Sequence, residues 1–300
     1  MTDKLRVSVF GAGVFAGYHA GKVAAHERAQ LAGIYDPAPD RASALAQRLD
    51  APVFTSAEDA LRACDAVICA VPAVFHKTVA IPALAAGKAV LIEKPLAATL
   101  SAATAIAALA EQTGAIVQIG HQERIVADAI GLQRISERPT HVEIVRHTGR
   151  ATRNLDTSVV KDLMIHDLDL LLGLFGAPDW AQAETAKRVY SEHLDTVRAE
   201  IGWSDFTAYV SASREGAPER RWRLRYPSGT VDIDFGAKTL RHDTPFALDD
   251  RFGDSPRVAD SLGAAFDRFV RAVLDGSPVL CTVRDGLEAV ALAERIEGDR

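Results

Sequence analysis

Up to about residue 120 the chain alternates short apolar runs with alanine-rich helical stretches, and few architectures accommodate that rhythm. The runs read LRVSVFG, AQLAGIYD, PVF, DAVICAV, AVLIEK and AIVQIG. Between them lie AGYHAGKVAAH, PDRASALAQRL, FHKTVAIPALAAG and LSAATAIAALAEQTG. Strands that stay apolar without alternation, separated by helices, predict a parallel sheet covered on both faces. From about 140 the rhythm changes. THVEIVRHT, TVRAEIGW, FTAYVSASRE, RRWRLRYP and TVDIDFG alternate apolar with polar residues, as strands of an antiparallel sheet with one exposed face do. A last helical region spans 261–296, interrupted by DGSPV. The expected fold is therefore α/β: a doubly wound parallel sheet over residues 1–121, then an α/β domain with an open, mostly antiparallel sheet over 122–300. The boundary is a change of rhythm, not a linker.

One helical stretch, KDLMIHDLDLLLGLFG at 161–176, resists a purely structural reading. At about 100° per residue, Asp162, His166 and Asp169 fall in a stripe of roughly 60° walled by Leu and Ile. Burying carboxylates and an imidazole costs free energy unless they pair or do chemistry. A buried structural Asp–His pair, a metal site of these three residues and a catalytic pair all remain open on spacing alone.

Two further motifs sit at strand ends. The first strand runs into Gly11-Ala12-Gly13-Val14-Phe15-Ala16, a G-x-G-x-x-A turn opening a helix. Gly11 permits the tight turn, Gly13 lets backbone approach a pyrophosphate, and Ala16 lets the helix pack closely on the sheet. The second strand ends at Asp36, placed to accept from an adenosine ribose; its charge disfavours a 2′-phosphate, so NAD is expected, with NADP as the alternative. Arg41 reads as a solvated helix residue. The fifth apolar run ends in Glu93-Lys94-Pro95, at the sheet edge where ligands of such folds collect; an ordinary strand-end charge pair is the alternative.

Composition excludes several classes. With 300 residues, 48% hydrophobic and 25% charged, the chain can bury a sizeable core. A net charge of −6 argues against a nucleic-acid or polyanionic-membrane surface. Cys64, Cys69 and Cys281 are too few and too irregular for a disulfide framework or a zinc site. No signal peptide and no membrane-length apolar stretch is visible, so a cytoplasmic location is expected.

The G-x-G-x-x-A turn, the EKP near residue 94 and the helix with D-x-x-x-H, in that order, resemble the Gfo/Idh/MocA oxidoreductase family over essentially the whole chain. The resemblance implies an N-terminal Rossmann domain and a C-terminal α/β domain whose open sheet forms a homodimer or homotetramer interface. It implies cofactor contacts from Gly11, Gly13, Val14, Phe15, Asp36, Glu93 and Lys94, with Glu93 on the nicotinamide ribose and a cis Lys94–Pro95 bond. VPAVFHKT resembles the family turn that puts Pro72 and His76 near the cofactor. Lys94, Asp162 and His166 match the catalytic positions, with Asp169 as a supporting partner and no metal required. In an alcohol oxidation His166 would be the base, Asp162 would orient substrate or imidazole, and Lys94 would stabilise alkoxide charge.

IGHQERI at 119–125 and Ile165 before the histidine resemble the nucleotide-sugar subgroup that contains UDP-N-acetylglucosamine 3-dehydrogenases; IVAD after Arg124 departs from that subgroup. The expected substrate is a nucleotide-linked amino sugar oxidised at the 3-position. His121, Arg124 and Arg153 are the candidate substrate contacts, with Arg150 beside Arg153. The alternatives are a simple sugar or inositol dehydrogenase, a redox-neutral NAD-dependent glycosidase, and a non-catalytic NAD-binding regulator.

Overall fold

The computed structural model describes residues 4–150 and 155–298. They pack into two compact units. Residues 1–122 and 260–287 form the first, and 123–259 and 288–300 the second. The continuous 122–300 domain expected from the sequence thus loses a segment to the first unit.

In the first unit, β1 (Leu5–Phe10), β2 (Ala29–Tyr35), β3 (Ala66–Cys69), β4 (Ala89–Ile92) and β5 (Val117–Ile119) form a wholly parallel sheet in the order β2-β1-β3-β4-β5. Every residue of β3 and β4 is buried, as strands covered on both faces must be. The connecting helices are α1 (Val14–Ala25), α2 (Pro39–Leu49), α3 (Ala57–Arg62), α4 (His76–Ala85) and α5 (Leu100–Thr113). The PVF run is not a strand of this sheet. It touches β2 only through an isolated bridge, Ile34 to Val53. Pro52 has no N–H to offer a ladder, and Val53 is exposed at the sheet edge.

The late helix α9 (Ser261–Asp275) sends Phe266, Phe269 and Val270 into the cluster built by Val7, Val9, Ala16, Ala20, Ile34 and Ile68. That burial is why 260–287 joins the first unit. Ion pairs at the rim reinforce it: Arg28 forks onto Asp275 at 2.6 and 2.8 Å, and Lys22 reaches Asp260 at 2.7 Å.

The second unit holds α6 (Glu123–Ile130), β6 (His141–His147), α7 (Ile165–Phe175), β7 (Trp180–Lys187), β8 (Thr196–Gly202), β9 (Thr207–Ser213), β10 (Glu219–Tyr226), β11 (Gly229–Asp234), β12 (Thr239–His242) and α8 (Pro256–Ala259). Its sheet runs β12-β11-β10-β6-β9-β8-β7 and is antiparallel except for the β6–β9 pair. β7 and β12 lay outside the sequence expectation; both are edge strands, and β7 has an exposed face along most of its length. On the inner face, Val142 and Ile144 of β6 alternate with half-buried residues. α10 (Val283–Glu297) closes the chain. No helix among the described residues is long and apolar enough to cross a membrane.

Candidate active site

The first unit carries the residues expected to meet a dinucleotide. Gly11 adopts φ +107°, and a Cβ there would lie 2.5 Å from the Ala70 carbonyl oxygen, so only glycine serves. Its N–H donates to Tyr35 O at 2.8 Å. Gly13 caps α1 with extended backbone and no side-chain acceptor over the first turn. A Cβ on Gly13 would meet only Nη2 of Arg41, at 3.6 Å. Space in front of Gly13, beside an uncapped helix N-terminus, fits a pyrophosphate. Arg41 is exposed, yet its guanidinium reaches this turn and does not simply point to solvent. Ala16 is fully buried against the sheet, while Val14 and Phe15 are half exposed at the mouth of the turn.

Asp36 braces the same turn. Its Oδ2 accepts from the Ala12 N–H at 2.8 Å and its Oδ1 from the Ala38 N–H at 2.9 Å. Each oxygen retains a second lone pair for a ribose hydroxyl. The residues present therefore fit NAD: Gly11 and Gly13 at the diphosphate, Asp36 at the ribose.

At the end of β4, Glu93 is buried and accepts from His19 Nε2 at 2.6 Å. Burial alone would push its carboxyl up, but the His19 hydrogen bond and the charges of His19, Lys94 and His76 hold it below the ordinary glutamate value. A Cβ on Gly120 would sit 2.9 Å from this carboxylate, so the glycine of IGHQERI makes room for it. Lys94 is half-buried, and the Lys94–Pro95 bond is cis, as the family resemblance implied. His76 is buried, with Nε2 3.0 Å from Val71 O and Nδ1 2.9 Å from Pro95 O. It clamps the β3 turn to the strand-4 turn, and burial lowers its pKa. Pro72 is exposed at the end of β3, and His121 is buried immediately after β5.

The second unit carries the polar stripe. The helix opens as a π-turn over Val160–Met164 and continues as α7. π-turns inside helices concentrate at functional sites. Each carboxylate of the stretch meets its own arginine. Asp162 takes Nη2 of Arg214 at 3.3 Å, Asp167 takes Arg146 Nε at 2.6 Å and Nη2 at 2.8 Å, and Asp169 takes Arg124 Nε at 2.8 Å and Nη2 at 2.7 Å. Trp222 Nε1 also donates to Asp167 at 2.8 Å. Arg124, expected at the substrate, thus spends two donors on the helix.

His166 is the stripe residue with the most exposed side chain, at 19%. Its Nδ1 lies 3.9 Å from Oε1 of Glu123. Arg146 holds Glu123 through both terminal nitrogens, at 2.9 and 2.6 Å, and Arg220 adds a third contact. Burial alone would raise the Glu123 carboxyl; Arg146, His166 and Arg220 outweigh it and hold the group far below the ordinary glutamate value. Near neutral pH the carboxylate is therefore charged beside the imidazole, where it can stabilise the protonated form.

Behind Asp162 a second cluster forms. Arg214 is fully buried and pairs with Asp195 at 3.0 Å, and Asp195 accepts the backbone N–H groups of Val189, Tyr190 and Ser191 at 2.9, 2.8 and 3.1 Å. Burial alone would raise the Asp195 carboxyl, yet the Tyr190 and Val189 N–H groups, Arg214 and the Ser191 N–H hold it at about 2. Arg153 falls outside the described residues; Arg150 is exposed, its guanidinium 5.4 Å from the Tyr190 ring centre.

Sequence reasoning missed Glu123, Arg146, Asp167, Asp195 and Arg214. Two of them left a signal: Arg146 continues the inward register of Val142 and Ile144, and Arg214 that of Val210 and Ala212. A charge at an inward strand position requires a buried partner.

Comparison with known proteins gives the family of the chain. Residues 5–121 match the model of an oxidoreductase family with an NAD-binding Rossmann fold, GFO_IDH_MocA. The UDP-N-acetylglucosamine 3-dehydrogenase of Acidithiobacillus ferrooxidans is 31% identical over 97% of this chain and 96% of its own. Its solved structure superposes with a TM-score of 0.87 over 98% of this chain and 96% of that one. An inositol 2-dehydrogenase of Rhizobium meliloti is 25% identical over 97% of this chain and 95% of its own. The WlbA dehydrogenase of Bordetella pertussis, solved with NADH and UDP-GlcNAcA, shares the fold at a TM-score of 0.86 and 22% identity, covering 99% of this chain and 95% of that one. The chain is an NAD-dependent oxidoreductase and belongs to the Gfo/Idh/MocA family.

Proposed function

We propose that the protein oxidises a secondary alcohol of a nucleotide-linked amino sugar, with UDP-N-acetylglucosamine oxidised at its 3-position as the substrate. The observation that carries this reading is the end-to-end similarity to the Acidithiobacillus ferrooxidans enzyme, in which both units are matched. When bound, NAD supplies the hydride acceptor. His166 takes the hydroxyl proton as the carbon–hydrogen bond breaks, and Glu123 stabilises the imidazolium that results. Asp162 orients the substrate or the imidazole, and Lys94 stabilises charge developing on the alcohol oxygen. Gly11, Gly13, Val14, Phe15, Asp36, Glu93 and the Pro72–His76 turn hold the cofactor; His121, Arg124 and Arg153 are assigned to the substrate side. Arg124 serves there chiefly by fixing Asp169 in α7.

The protein is further proposed to assemble through the second sheet. Its outer face exposes Trp180 and Tyr209 at 42% and 41%, among Arg223–Asp232 and Arg225–Glu143 pairs.

The test is formation of reduced nicotinamide from NAD with UDP-N-acetylglucosamine, other UDP-sugars, free sugars and inositols. Turnover confined to UDP-N-acetylglucosamine supports the reading. Preference for an inositol moves the chain to the activity named for its more distant relative, and silence with NAD bound rejects the dehydrogenase assignment.

A further inference from the structure

We propose that Arg214 is a positioning residue, which holds the Asp162 carboxylate in its working orientation and is itself anchored by the Asp195-capped turn at 189–191. The inference rests on the role given to Asp162 above. It starts from the burial of the guanidinium: no part of the Arg214 side chain is exposed, and neither is that of Asp195. A charge so placed must be met by buried acceptors. Arg214 Nη1 donates to Asp195 Oδ1 at 3.0 Å, while Nη2 donates to Thr157 O at 2.9 Å and to Asp162 Oδ2 at 3.3 Å.

The backbone repeats the connection. The Arg214 N–H donates to Asp195 O at 2.9 Å, and the Asp195 N–H to Lys187 O at 2.8 Å. The other oxygen of the Asp195 side chain gathers the three N–H groups of Val189, Tyr190 and Ser191. Asp162 thereby rests on a chain of fixed contacts that passes through Arg214, directly after β9, and ends in the turn between β7 and β8. Asp162 stands in a π-turn, a feature frequent at functional sites, and this support fixes its carboxylate there. The planar fork of arginine fixes two carboxylates and a carbonyl at once, which a lysine ammonium on a flexible stem does not reproduce. Asp162 is partly accessible, at 12% of its side chain, so it faces outward from a support that is sealed.

The experiment compares Arg214→Lys, Asp162→Asn and the double variant in full-length protein, reading kcat and KM with NAD and UDP-N-acetylglucosamine, NADH affinity, and amide hydrogen exchange at 189–191. Arg214→Lys should lower kcat ~10-fold or more with KM and NADH affinity little changed, and the double variant should lose no more than Asp162→Asn alone, since residues acting as a unit are not additive. Losses that multiply, or a kcat near wild type in Arg214→Lys, overturn the proposal; so does an Asp162→Asn variant with normal turnover. If Arg214→Lys does not fold, Asp195→Asn, which keeps an acceptor for the turn but drops the charge, must show the same non-additivity. If the wild type oxidises none of the sugars, the dehydrogenase reading fails separately, and exchange decides: faster exchange at Val189, Tyr190 and Ser191 in either variant supports the anchor, and unchanged protection overturns it.

Discussion

Nδ1 of His166 stands 3.9 Å from Oε1 of Glu123, and the guanidinium groups of Arg146 and Arg220 hold that carboxylate in place. The histidine proposed to take the substrate proton thus has a fixed negative charge beside it on a neighbouring helix, α6.

His166→Asn removes the base and keeps a polar side chain of similar reach. Turnover should fall ~10²-fold or more while NADH affinity stays at the wild-type level. Titration of NADH fluorescence alongside steady-state rates checks both halves, and near-normal rates would remove His166 from its role.

Glu123→Gln leaves shape but deletes charge beside His166 and Arg146. The folded-state carboxyl lies well below its ordinary value of 4.5, so its contribution to stability is present above that value and is lost as the pH falls through the depressed one. The variant should therefore melt lower than wild type near neutral pH, and the gap should close in strong acid. Thermal melts across an acid series read this directly; a gap of constant size would contradict the charge argument.

Asp36 carries two duties, since it accepts from the Ala12 and Ala38 N–H groups and is expected to select NAD. Asp36→Asn keeps one acceptor oxygen and drops the charge that opposes a 2′-phosphate. The ratio of kcat/KM for NAD over NADP should narrow ~10-fold, about 1.4 kcal/mol of discrimination. An unchanged ratio assigns the selection elsewhere, with Arg41 at the Gly13 turn the next residue to vary.

Phe269 is fully buried in the core of the first unit although it lies in the last fifth of the chain. Phe269→Ala should cost about 3–5 kcal/mol of stability. Equilibrium denaturation followed by a probe in the parallel sheet should register that loss; a sheet transition left in place would separate α9 from this core.

Much of the fold could be read from residue order because the first sheet is buried on both faces. Strands such as AVIC and AVLI have no polar side to hide, and the alanine-rich helices between them leave a parallel order as the workable arrangement. The G-x-G-x-x-A turn and Asp36 were equally plain, since their chemistry is local: a glycine at φ +107° and a carboxylate within hydrogen-bond reach of its own loop. Pairing at a distance was not. Arg214 meets Asp162 across 52 residues, and Arg146 meets Asp167 across 21. Periodicity says that an inward charge needs a partner without saying which one. The apolar face of α9 shows that it is buried, not that it fills a core begun 260 residues earlier. Hydrophobic burial has no direction and is satisfied by any apolar surface, whereas an ion pair is satisfied only at one distance and angle, and that geometry exists only once the chain has folded.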